Sequence, residues 1–260
     1  MDKPDVTLEN SDAVYDYYLG HQQNRMLAKA AYATLAARFR PRVRYADGAR
    51  EKIHELVRSH TSLVLSVNHL SESDPYTVAA AAWRSPLRAV IGRTRVLAKD
   101  ELFAERSMRN RIDLMGSIPV FRGKNHGMRA VNAAGQRMMD VCAERMRSGD
   151  SIAIFPEGTC NEGDPTRLQS VGSGVGHITS RAMRLGVTPV LLHMGIYYGA
   201  SAADGVRDAS VYFDVPVADV PDKPAAIARL VHDRLQDAVD GAVARYRVAG
   251  TEARYRAGRC

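Results

Sequence analysis

The chain has 260 residues, of which 45% are apolar and 25% charged, and it carries a formal net charge of +7. That length bounds it to one large domain, or one domain with a small appendage, and the composition excludes a globally disordered chain. The positive balance suits anionic partners (nucleic acid, an anionic membrane surface or phosphorylated small molecules) without choosing among them.

The first ten residues are polar and acidic, are expected to be disordered, and do not resemble a signal peptide. From Ser11 to Arg40 the pattern is helical, with Ser11 or Asp12 as cap and Gly20 as an interruption. Val14, Tyr17 and Tyr18 share a face before the glycine, and Met26, Ala30, Ala33 and Ala37 share one after it. With Arg25, Lys29, Arg38 and Arg40 this makes a basic amphipathic segment, 1–40, that either packs on its own domain or rests on a membrane surface.

After Pro41 short β-rich runs alternate with helical patterns, which makes 41–260 an α/β domain. The fold class expected is a central, largely parallel mixed sheet flanked by helices, with the N-terminal helical segment added. Strands are expected at RVRYA, SLVLSV, LRAVIG, GSIPVF, SIAIF, VTPVLLHM and SVYFDV. Helices are expected at REKIHELVRSH, at DPYTVAAAAW with Asp74 as N-cap and Pro75 in its first turn, near 126–147, near 174–185, and from Lys223 to Val248. No run reaches the roughly eighteen apolar residues that span a bilayer. Cys142, Cys160 and Cys260 are odd in number and widely spaced, which points to a reducing compartment rather than a disulfide framework.

Four stretches carry the chemistry. In NHLSESD a histidine, His69, follows a strand and precedes Asp74 by five positions. A neutral imidazole held by a carboxylate keeps one nitrogen free to accept a proton. Taken alone, the same two residues also read as a loop histidine and a helix cap. GSIPVFRGK ends a strand with Arg122 and Lys124, cations suited to phosphate. FPEGT ends another strand with Glu157, Gly158 and Thr159, and VTPVLLHMG is an apolar strand with a proline. His69, Asp74 and Glu157 also admit a metal site, but no second histidine stands at ligand spacing from His69. His177 and His193 read as structural, and Trp83, Met138 and Met139 as core.

In this order the blocks resemble the glycerolipid acyltransferase family, which includes the lysophosphatidate and glycerol-3-phosphate acyltransferases. Asn68, His69 and Asp74 match its N-H-x-x-x-x-D motif, Gly116 to Arg122 its second block, and Phe155 to Thr159 its F-P-E-G-T block in full. Val187 to Leu192 match its fourth block loosely, and the likeness runs over about 60–215. One departure is Cys160, where the family often has arginine or serine.

The resemblance implies a glycerol hydroxyl attacking the thioester of acyl-CoA or acyl carrier protein, with no cofactor beyond that co-substrate and no metal. It implies His69 as general base, Asp74 as its orienting group, Arg122 on the acceptor phosphate, and Glu157 ordering the acceptor site. Lys124, Gly158 and Thr159 are the further substrate-binding candidates, and Arg167 is a candidate to replace the cation missing at Cys160. The acceptor expected is glycerol 3-phosphate or its 1-acyl derivative, at a membrane surface on the inner face of the plasma membrane. A glycolipid acceptor is the alternative within the same chemistry. A basic nucleic-acid-binding module is the alternative from another class; it is disfavoured because the cations are spread along the chain and no binding motif stands out.

Overall fold

A computed structural model of the chain describes residues 3–199 and 209–257; of Lys124 and of 249–257 it describes the backbone alone. Cys260 lies outside the described residues.

The apolar runs become a seven-stranded sheet in the order β1-β7-β6-β2-β5-β3-β4. The strands are β1 (Arg42–Tyr45), β2 (Leu63–Val67), β3 (Thr94–Lys99), β4 (Ser117–Val120), β5 (Ser151–Ile154), β6 (Val190–Tyr197) and β7 (Ser210–Phe213). Every pairing is parallel except β6 with β7. All residues of β2 and β6 are buried, as continuous apolar runs require when helices cover both faces.

Nine helices are described: α1 (Ser11–Gly20), α2 (Arg25–Phe39), α3 (Ala49–Arg58), α4 (Asp74–Trp83), α5 (Arg106–Leu114), α6 (Gly123–His126), α7 (Met128–Arg147), α8 (Gly174–Arg184) and α9 (Pro224–Ala257). Side-chain alternation along the strands splits the core in two. Val64, Ile152 and Leu191 face one layer with residues of α1, α7, α8 and α9. Leu63, Leu65, Val67, Leu192 and Met194 face the other with Ile53 and Val57 of α3 and Ala81 of α4. His193 lies on the α9 side, fully buried, and burial pushes its imidazole down to about 3, a structural neutral histidine. Among the described residues no helix is long and apolar enough to cross a membrane.

The N-terminal region departs from its sequence reading in three ways. Residues 3–10 are not loose: Val6 and Leu8 pack on the core, and Lys3 pairs with Asp113 at 2.6 Å. Asn10, not Ser11 or Asp12, precedes α1, and it makes no side-chain cap. The helical segment breaks at His21–Asn24, where the Asn24 side chain accepts from Met26 and Leu27 N–H and starts α2. α2 packs on α4 through Ala28 and Tyr32. The stripe Met26, Ala30 and Ala37 is exposed instead, with Met26 83% and Leu27 57% accessible.

Two further elements differ. LRAVIG is not a strand: Ser85 caps a short 3-10 turn over Pro86–Val90, Gly92 turns the chain at φ +87°, and β3 starts only at Thr94. α5 is not expected from its sequence, RSMRNRIDL, where charge masks the helical period. The side chain of Glu105 caps it from Ser107 and Met108 N–H.

Candidate active site

All strand ends that carry the motifs point the same way, because β2, β3, β4 and β5 run parallel. Ligands gather at the carboxyl edge of such sheets. Asn68, the first residue past β2, fixes that edge: its amide donates to Ile196 O at 3.0 Å and accepts from Ile196 N at 2.7 Å. His69 follows directly.

Asp74 is the first residue of α4 and Ser73 its N-cap, so Asp74 is not the cap that the sequence suggests. Its carboxylate turns back into the loop and is fully buried. Oδ2 accepts from Leu70 N–H at 2.6 Å, from Ser71 N–H at 2.9 Å and from His69 Nδ1 at 2.9 Å. Residues five apart would not meet on a helix. They meet here because 70–73 wrap around the carboxylate. A carboxylate only accepts, so Nδ1 carries the proton and Nε2 presents its lone pair. The ring stacks on Phe155, with centroids 4.4 Å apart. On the other carboxylate oxygen, Oδ1, sits the hydroxyl of Tyr198 at 2.6 Å.

Glu157 belongs to the same cluster through backbone contacts. Its Oε1 accepts from the backbone N–H of His69 at 2.7 Å and its Oε2 from Gln169 N–H at 2.9 Å. Asn161 N–H donates back to His69 O at 2.6 Å. The FPEGT turn, with Gly158 at φ +76°, is thus a brace that clamps the β2 loop to the β5 loop. One consequence concerns charge stabilisation. The backbone N–H groups of residues 69, 70 and 71 are all taken by carboxylates, so an oxyanion must find its donors elsewhere. Gly158 and Thr159 are exposed beside this turn.

Cys160 stands over the imidazole. Its Sγ is 3.4 Å from His69 Nε2. Burial, with Glu72 and Asp74 nearby, pushes the thiol up to about 11, so it is neutral and able to donate weakly to Nε2. The thiol thus occupies the space directly in front of Nε2.

Arg122 follows β4. Its Nη2 binds Glu101 Oε1 at 2.6 Å, and Asn125 donates to the same oxygen. Burial opposes ionisation of Glu101, yet its own backbone together with Arg122 and Asn125 holds the carboxyl down to about 2. The Nε of Arg122 is buried without a partner among the described residues. Lys99, at the end of β3, pairs with Glu72 of the His69 loop at 2.7 Å. Arg167 is not brought to Arg122. It is exposed and lines a groove with Asp240 and Arg247 of α9. The side chain of Lys124 lies outside the described residues.

A histidine held by a buried carboxylate at the carboxyl edge of a parallel sheet is an arrangement suited to general acid–base chemistry. The family model described as Acyltransferase matches residues 49–194, more than half of the chain. The protein therefore belongs to the glycerolipid acyltransferase family. No curated protein matches the chain. Tyr198, Glu101 and the brace made by Glu157 are not legible in the sequence. Tyr198 arrives from the end of β6, far from His69 along the chain, and nothing local in IYYGA marks it.

Proposed function

We propose that the enzyme moves a fatty acyl group from acyl-CoA or acyl carrier protein to glycerol 3-phosphate or 1-acyl-glycerol 3-phosphate. The observation that carries this reading is the His69–Asp74 pair with Nε2 directed away from the carboxylate. The acceptor hydroxyl displaces the Cys160 thiol from Nε2, gives its proton to that nitrogen and attacks the thioester carbonyl. The tetrahedral intermediate collapses, the carbon–sulfur bond breaks, and the imidazolium returns the proton to the departing thiolate. Asp74 stabilises the imidazolium throughout. Thiol release from acyl-CoA, measured with glycerol 3-phosphate and then with lysophosphatidate, names the acceptor. Release with neither, in folded protein, rejects both.

Arg122 is the proposed phosphate ligand, and its unpartnered Nε supports that role. Its link to Glu101 lies partly in solvent, where such pairs are weak enough for a phosphate to compete. Arg122→Ala is expected to raise the acceptor Michaelis constant about tenfold or more, with the donor constant unchanged. Glu101→Gln should lower the acceptor constant by releasing the guanidinium. Arg167→Ala is the control, because Arg167 lines a groove with residues of α9. Steady-state kinetics with each substrate varied in turn checks all three, and an unchanged acceptor constant in Arg122→Ala removes the assignment.

The same reading sets the enzyme on an anionic membrane surface through α2. The exposed Met26 and Leu27, flanked by Arg25 and Lys29, support it. Deleting 1–40 would uncover core residues such as Tyr15 and Tyr18, so point changes are the cleaner probe. Met26→Gln with Leu27→Gln is expected to reduce co-sedimentation with phosphatidylserine-containing vesicles several-fold. Equal co-sedimentation would leave α2 as a packing helix only.

A further inference from the structure

We infer that Tyr198 is a positioning residue for the His69–Asp74 pair, holding the Asp74 carboxylate in place and setting how strongly it draws on the imidazole. The geometry supports the role directly. Of the donors on Asp74, two are backbone N–H groups and one is the imidazole, all on Oδ2. On Oδ1 the donor is the Tyr198 hydroxyl at 2.6 Å. That hydroxyl also lies 3.0 Å from Thr77 Oγ1, one turn into α4. A phenol has one proton. It gives that proton to the carboxylate, the nearer and charged partner, and takes one from Thr77, which strengthens it as a donor.

The ring itself is fixed. Tyr198 is buried in the layer beneath α4. Gly199 then turns the chain at φ +89°, with the Tyr246 ring filling the space where a side chain would begin. Tyr246 also packs edge-on against Tyr197, with centroids 5.2 Å apart. Tyr198 therefore meets Asp74 from the end of β6 rather than from the loop that carries His69.

A fourth donor has a physical consequence. It draws negative charge toward Oδ1, so Oδ2 becomes a weaker acceptor for Nδ1–H and Asp74 stabilises the imidazolium less. Removing it should do the reverse. The other titratable groups around the pair are Glu157, bonded to the His69 backbone, and Cys160 at Nε2, with Glu72, Lys99 and Glu162 acting on Cys160. None of them touches Oδ1.

The test uses the full chain with Tyr198→Phe, read in two ways. The downfield Nδ1–H proton resonance, assigned by its absence in His69→Ala, is expected to move further downfield. In thiol release with the acceptor identified above, the acid limb of the rate–pH profile is expected to rise by about half to one pH unit, with both Michaelis constants within about twofold. A resonance and an acid limb both unmoved would reduce Tyr198 to a packing residue. Thr77→Val, which only weakens the phenol as a donor, should give a smaller change of the same sign, and it decides between the two roles should Tyr198→Phe fail to fold. The kinetic arm rests on His69 acting as the base. The resonance does not, so in an enzyme silent toward the chosen substrates it still distinguishes a Tyr198 that acts on the pair from one that only packs.

Discussion

His69→Ala is expected to lose nearly all transfer, on the order of a thousandfold or more, while the protein stays folded. On the proposed mechanism the loss should be large, because among the described residues the groups beside Nε2 are poor replacements for the base. Cys160, the neighbour of Nε2, is a neutral thiol held near 11 by burial and by the carboxylates around it. Glu157 has both oxygens engaged by backbone N–H groups. Folding should survive because the loop is held by its backbone rather than by the ring. Asp74 keeps Leu70 and Ser71, and Glu157 keeps the His69 N–H, which alanine also has. The ring's main packing contact is Phe155, so its removal should cost about 1–2 kcal/mol. Thiol release at saturating substrate, beside a thermal melt, separates the two effects. Turnover within about tenfold of the parent in a folded variant would mean that another base takes the proton.

The features legible in the sequence are those set by local pattern. β2 and β6 are continuous apolar runs, so their burial on both faces can be read directly. The strand–loop–helix placement of His69 and Asp74 follows from an apolar run, a polar loop and a proline in the first turn of α4. Features set by tertiary approach are hidden. LRAVIG has the texture of a strand, but Ser85 and Pro86 start a tight turn that wins over propensity. Met26, Ala30, Ala33 and Ala37 form a true stripe, yet Tyr32 and Ala28 on the adjacent stripe fit α4 better. The role of Glu157 as a brace is hidden because the sequence shows the carboxylate but not the two N–H groups that converge on it. Arg167 is close to Cys160 in sequence, but Asp164, Thr166 and Asn161 fold that loop on itself and direct it to α9.

Asp74→Asn should be nearly as damaging to turnover as loss of the imidazole, for a different reason. Asparagine keeps the shape and one acceptor. In one orientation its oxygen takes the place of Oδ2 and still receives Leu70, Ser71 and the Nδ1 proton. Its NH2 then faces the Tyr198 hydroxyl, which can turn its proton to Thr77 and accept. In the flipped orientation the NH2 would face two backbone N–H groups and leave them unpaired, so the first arrangement wins. The geometry of the pair therefore survives and the charge does not. On the proposed mechanism the imidazolium formed during transfer loses its counter-ion inside a buried site, where that stabilisation is strongest. Turnover should fall on the order of a hundredfold to ten-thousandfold, with both Michaelis constants little changed. Asp74→Ala is the informative contrast. It strips the partners from two backbone N–H groups and one phenol in a closed space, so it should lower stability by roughly 3 kcal/mol or more as well as stop transfer. Tyr198→Phe made on the Asp74→Asn background supplies the last discrimination. If Tyr198 acts through the carboxylate charge, its removal there should have almost no further effect on turnover, whereas a packing role would add its loss undiminished.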